Sequence, residues 1–247
     1  MPSARRWASA AMAFTGTISA APLSSPAASA VIVDGTAQAT AAHSPRHSTS
    51  GNWSGYAATG GTFTSVSADW IQPAVSCGSQ NTYSSFWVGL DGTGSESVEQ
   101  AGTDADCSGG TPVYSSWYEM YPTAPVYLSN PVSPGDVIHG SVAYNGQGSF
   151  TLVLSDQTAG WTRTVDANLE YPPLASAEVI AEAPSSGLGV LPLSDFGTAS
   201  FADASVDGAS LASFSPEAIA MGGGGTAKAS AGAISPSGAF EVTWHHY

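Results

Sequence analysis

From Asn52 onward the chain alternates apolar and polar residues in short runs broken by Gly, Pro, Asn and Asp. In SFTLVLSD, Phe150, Leu152 and Leu154 fall on one side and Thr151 and Val153 on the other. The turn-forming DQTAG follows, then WTRTV, a pattern that predicts a hairpin. Near the end, AFEVTW sets Phe240, Val242 and Trp244 against Glu241 and Thr243. A period of two with turn signals about every ten residues predicts an all-β chain folded as an antiparallel sandwich. No 11-residue window carries a period of 3.6, and 16 prolines argue against long helices. Gly222–Gly225 is expected to be a flexible loop.

The same parity sorts the chemistry. In SSFWVGLDG, Trp87, Gly89 and Asp91 share a face opposite Phe86, Val88 and Leu90. In PVYSSWYEMYP, Trp117, Glu119 and Tyr121 alternate with Tyr118 and Met120. In SAEVIAEAP, small apolar Ala177, Val179 and Ala181 suit a core, which turns Glu178, Ile180 and Glu182 the other way. Three strands thus each present a face that combines acids with bulky groups. Were those faces adjacent, repulsion and desolvation would raise carboxyl pKa values.

The N-terminus has a different texture. Arg5 and Arg6 precede a small-residue apolar stretch, and Ala28-Ser29-Ala30 is a small-x-small cleavage site, so residues 1–30 are read as a secretory signal peptide. Residues 31–50 have no periodicity and are read as a linker or short pro-segment, leaving 51–247 as one domain. No later run is long enough to span a membrane, and a secreted monomer is expected. In an exported chain the only two cysteines, Cys77 and Cys107, are expected to form one disulfide.

Charge narrows the partners. The formal net charge is −14, and beyond residue 50 only Arg163 and Lys228 are basic. Nucleic acid and anionic lipid need the opposite sign, so neither is an expected partner. Missing motifs narrow the chemistry. The chain has no Gly-x-Ser-x-Gly elbow, no His-Glu-x-x-His helix and no Asp-Thr/Ser-Gly triplet. Of five histidines, only His139 lies inside the domain away from its ends, and none is spaced for a metal cage. No metal or cofactor is expected, so any reaction falls to carboxylates, amides and aromatics.

Six strings stand in register along the domain: NWSGY (52–56), FWVGLDG (86–92), EQAG (99–102), WYEMYP (117–122), AEVIAE (177–182) and DFG (195–197). In order and spacing they resemble the glutamic peptidases, or eqolisins, over essentially all of residues 52–247. The resemblance implies a concanavalin-like jelly roll of two antiparallel, about seven-stranded sheets, with polypeptide substrates on a concave face. It places the catalytic glutamine at Gln100 and the catalytic glutamate at Glu178. Groove-lining and supporting positions fall on Trp53, Trp87, Asp91, Trp117, Glu119 and Tyr121. The implied activity is a pepstatin-insensitive acid endopeptidase using water held by a Gln/Glu dyad. Where the family usually has Trp after the glutamate, this chain has Val179. Two rival readings use the same residues: a lectin-like carbohydrate-binding sandwich, and a glycosidase working through Glu119 and Glu178.

Overall fold

The computed structural model describes residues 46–223 and 225–247. The signal-peptide expectation, and the linker up to residue 45, lie outside them. Among the described residues the only helical element is one 3-10 turn, Leu211–Phe214, and no helix is long and apolar enough to cross a membrane. In chain order the strands are β1 (Arg46–Ser50), β2 (Trp53–Thr59), β3 (Ser65–Ile71), β4 (Ser85–Leu90), β5 (Val98–Ser108), β6 (Thr111–Tyr121) and β7 (Val126–Tyr127). They continue as β8 (Val137–Gly146), β9 (Ser149–Asp156), β10 (Trp161–Asn168), β11 (Ser176–Glu182), β12 (Ser185–Ser186) and β13 (Gly189–Val190). The last are β14 (Thr198–Val206), β15 (Ala209–Ser210), β16 (Glu217–Gly223), β17 (Thr226–Ala231) and β18 (Phe240–Trp244).

The expected sandwich is present, as is the SFTLVLSD hairpin: β9 pairs with β10 antiparallel from Asp156–Trp161 to Ser149–Asn168. The two layers are not separate sheets. Hydrogen bonding runs without a break through β10, β9, β8, β3, β14, β18, β17, β16, β2, β11, β4, β5, β6 and β7. Bulges explain how one ladder turns over on itself, because an extra residue bends a strand and increases its twist. One register shift lies in β14 between Ala202 and Ser205, another in β16 between Met221 and Gly222. Gly222 and Gly223, expected in a loop, belong to β16. β1 pairs with β16 in parallel, so residues 46–50 contribute to the sheet although sequence texture put them in the linker.

The core lies between the layers and follows the alternation read from sequence. Phe150, Leu152 and Leu154 of β9, with Val66 and Trp70 of β3, meet Phe86, Val88 and Leu90 of β4 and Ala177, Val179 and Ala181 of β11. Trp70 Nε1–H donates across the layers to Thr103 Oγ1 of β5 (2.9 Å), satisfying a polar group that burial would otherwise strand. Cys77 and Cys107 form the expected disulfide, which ties the β3–β4 connection to the end of β5. β11 is held on both edges, by β2 and by β4. Its inner face is apolar, so its acids are driven to the outer one.

Candidate active site

Register brings the acids and the glutamine together. Glu178 of β11 pairs with Gly89 of β4, Gly89 with Gln100 of β5, and Gln100 with Glu119 of β6. Directly paired residues point to the same side, so Glu178, Gln100 and Glu119 stand in one transverse row on the face away from the core. With strands about 4.8 Å apart, the Cα atoms of Glu178 and Gln100 are about 10 Å from each other. Gly89 puts no side chain between them. A Cβ there would stand 3.2 Å from the Gln100 Cβ and 3.0 Å from Trp87 Cζ3. The next row along the strands holds Ile180, Trp87, Gly102 and Trp117. Trp53, Trp87, Val98, Trp117 and Ile180 form a second apolar cluster on this face, with Tyr121 packed against it.

Both central side chains are enclosed: Glu178 is 0% and Gln100 2% exposed. Part of the cover is the turn that follows β4. It folds back so that Thr93 N–H donates to Glu178 Oε1 (3.3 Å). Gly92, at φ 111°, lies so near Trp53 that a Cβ would meet Cη2 at 2.8 Å, which only glycine can accommodate. Ser95 Oγ braces the turn by accepting Gly92 N–H (2.7 Å) and donating to the Ser97 carbonyl (2.9 Å).

Gln100 is oriented by Glu119: its Nε2–H donates to Glu119 Oε2 at 2.6 Å. Three atoms in the row are buried without a hydrogen-bond partner: Gln100 Oε1, Glu119 Oε1 and Glu178 Oε2. Electrostatics follow from enclosure. Burial lifts Glu178 to about 8 against the pull of hydrogen bonds from Ser176 and Thr93, and the nearby Asp91 charge adds to the rise. Burial first, then the Glu182 charge, lifts Glu119 to about 9.

Of the residues expected at the site, Trp53, Trp87, Trp117, Glu119 and Tyr121 share this face with Gln100 and Glu178. Asp91 does not line it as parity suggested. β4 ends at Leu90, Asp91 adopts φ 66°, and its carboxylate accepts the backbone N–H groups of Leu174 (2.9 Å) and Ala175 (2.7 Å). Its charge acts on Glu178 in the row, and on Glu99, which pairs with Leu90 on the opposite face. His139 lies in the other layer, 2.6 Å from Asp69. The expectations missed Gly89, Thr93 and Glu182 as site residues. Parity had placed Gly89 and Glu182 on the right face; Thr93 left no signal, because a turn and not a strand brings it to Glu178.

A family model, the Peptidase A4 family, matches residues 51–243. Aspergillopepsin-2 of Aspergillus niger is 30% identical over 179 residues, which cover 63% of this chain and 64% of that protein. The match thus spans somewhat less than two thirds of that relative's length. Among solved structures, scytalido-glutamic peptidase with a transition state analog inhibitor superposes with a TM-score of 0.69 at 25% identity, covering 79% of this chain and 98% of the other. Aspergilloglutamic peptidase from Aspergillus niger gives a TM-score of 0.56 at 26% identity, covering 66% and 99%. Fold, register and motif agree with the span of the match: the chain belongs to the Peptidase A4 family, the eqolisins.

Proposed function

We propose that the protein is a secreted, monomeric endopeptidase that hydrolyses polypeptides on the acid side of neutrality through Gln100 and Glu178. The observation that carries this reading is the row of buried, unpartnered polar atoms on either side of Gly89. Buried polar atoms are normally satisfied, so Gln100 Oε1 and Glu178 Oε2, two acceptors on residues flanking the side-chain-free position of Gly89, define a place for a water that donates to them. Ionised Glu178 takes a proton from the water, whose oxygen attacks the scissile carbonyl carbon. The free N–H of the Gln100 amide donates to the oxyanion that develops, a neutral donor that needs no protonation. Collapse breaks the C–N bond, and Glu178 returns its proton to the leaving amine.

The raised pKa of Glu178 sets a condition. A base must be ionised, and of the row's carboxyls Glu178 is the one with a backbone N–H donor favouring its anion. Water admitted beside the unpartnered Oε2 hydrates Glu178 and reduces the desolvation that lifts it to about 8, moving it towards the ordinary 4.5. Glu119, held near 9, keeps its proton while Glu178 ionises. The working window therefore opens with ionisation of hydrated Glu178 and closes below neutrality as rising pH withdraws the stability that the enclosed acids give the fold while protonated. The glycosidase reading fits less well, because Gln100 stands between Glu119 and Glu178 and binds one of them. A single disulfide suits an oxidising compartment outside the cell.

Digestion of a denatured protein across pH 2–7 tests the reading. Glu178→Gln is expected to abolish cleavage and Gln100→Ala to reduce turnover ~10²–10³-fold, with pepstatin without effect because the catalytic row contains no aspartate pair to bind it. A Glu178→Gln variant as active as the unaltered chain would sink the mechanism.

A further inference from the structure

The outer face of β11 carries a second enclosed acid. Glu182 lies two rows from Glu178, is 1% exposed, and is not needed for any step above. Its Oε2 accepts Nε1–H of Trp87 (2.8 Å) and its Oε1 accepts Nδ2–H of Asn52 (3.0 Å). Asn52 is itself fixed, since Ser50 Oγ donates to Asn52 Oδ1 (3.2 Å) while accepting Trp53 N–H (3.0 Å). The carboxylate therefore has a fully determined position and hands that position to one indole.

Trp87 matters because of where its ring ends. Cζ3 borders the space above Gly89, the gap that separates Glu178 from Gln100. The ring also meets Trp53 edge-on, with centroids 5.0 Å apart. An indole has one polar hydrogen. In a site this dry, losing its acceptor orphans the N–H at the cost of its full desolvation. Turning the ring relieves that cost but moves carbon atoms into or out of the gap.

We propose that Glu182 is a positioning residue for the Gln100–Glu178 pair: it locks the Trp87 indole and so holds open the space above Gly89. This inference rests on the reading of Gln100 and Glu178 given above. Glu182→Gln keeps the shape of the side chain but sets an amide N–H against one of two existing donors. An amide NH2 cannot accept, so one of the two donors loses its acceptor, and the fixed position that holds Trp87 is lost with it. A displacement of about 1 Å in reacting groups can cost up to ~10²-fold in rate.

Steady-state kinetics on a fluorogenic peptide and pH titration of tryptophan emission together test the idea. Glu182→Gln is expected to lower kcat ~10–100-fold with KM nearly unchanged, and Trp87→Phe, which keeps an aromatic ring but has no N–H, to do the same. If both act through one hydrogen bond, the double variant is no slower than the slower single. The emission difference between the unaltered chain and Trp87→Phe is expected to titrate as Glu182, held near 8 by burial, ionises; that titration disappears in Glu182→Gln. Unchanged kcat in Glu182→Gln, losses that multiply in the double variant, or a titration that persists without Glu182 would each overturn the inference. Should Glu182→Gln fail to fold, Trp87→Phe decides alone: wild-type kcat overturns the proposal, and a kcat loss at constant KM supports it. The two readings fail separately. Activity retained in Glu178→Gln removes the catalytic assignment, whereas a normal kcat in Glu182→Gln removes only the role given to Glu182.

Discussion

At the scale of single residues, the site is defined as much by a missing side chain as by those present. Gly89 sits between a strand bearing Glu178 and a strand bearing Gln100. Its would-be Cβ has neighbours at 3.0 Å (Trp87 Cζ3), 3.2 Å (Gln100 Cβ) and 3.2 Å (Val98 Cγ1). Gly89→Ala therefore forces Trp87 and Gln100 apart by a few tenths of an ångström and fills part of the gap. The expected outcome is a loss of at least ~10-fold in kcat/KM, since misplacement of this kind reaches ~10²-fold, with about 1–2 kcal/mol of stability lost to overpacking. Kinetics and denaturant melts of the one variant read both numbers. Full activity would show that the gap is not where the reaction occurs. This residue also marks how far sequence reasoning carries. Parity put Gly89 on the face of Trp87, and the FWVGLDG string made that face part of a family site. That the glycine separates the two reacting side chains depends on the pairing of β4 with both β5 and β11, a long-range register that no local pattern states.

At the scale of elements, the placement of Glu178 depends on how β11 begins. Asp91, just past β4, accepts the N–H groups of Leu174 and Ala175, and Asp91 N–H donates to the Ser176 carbonyl (2.9 Å). Three hydrogen bonds thus hold the first residue of β11 and the two before it, two residues short of Glu178. Asp91→Ala leaves two backbone donors unpaired in a buried place, each worth ~1–3 kcal/mol. A loss of about 2–5 kcal/mol in denaturant melts is expected, together with faster amide exchange at 174–176. Amide exchange unchanged at those positions would mean that β4 alone sets the start of β11. The sequence made the strands legible because alternation in β9, β11 and β18 is strong, and it made the inner face of β11 legible through Ala177, Val179 and Ala181. It gave no warning that Asp91 would leave the alternation. A residue at φ 66° is a turn residue whose side chain answers to backbone donors 83 and 84 positions away, and parity applies only while a strand lasts. Nor did it announce that β1 would join β16, since RHSTS has little apolar character to pair by and is held through its backbone.

At the scale of the whole molecule, the buried acids make stability depend on pH in one direction. Burial raises Glu178 and Glu182 to about 8, Glu99 and Glu119 to about 9 and Asp104 to about 6, from ordinary values of 4.5 for Glu and 3.8 for Asp. A group that is more basic in the fold than in the unfolded chain binds its proton more tightly when folded. Its contribution is complete below the unfolded value and is lost progressively as pH rises from there to the folded value. One glutamate lifted from 4.5 to about 8 costs about 2 kcal/mol between pH 4.5 and 6.5. For a chain of this size that is a fall of about 5–10 °C in Tm, and several such groups act together. Melting at pH 3.5 and pH 6.5 is therefore expected to show the acid form more stable by at least this amount. Self-repulsion among exposed carboxylates such as Asp166, Glu170, Asp203 and Glu241 pushes the same way, but added salt screens exposed charges and not enclosed ones. Repeating the pH 6.5 melt in 0.5 M salt separates the two causes. A Tm that stays low locates the loss in the enclosed acids, and Glu178→Gln or Glu182→Gln then flattens the pH dependence because an amide has no proton to lose. A Tm restored by salt, or equal at both pH values, would place the acid preference of the fold on its surface and not in its site.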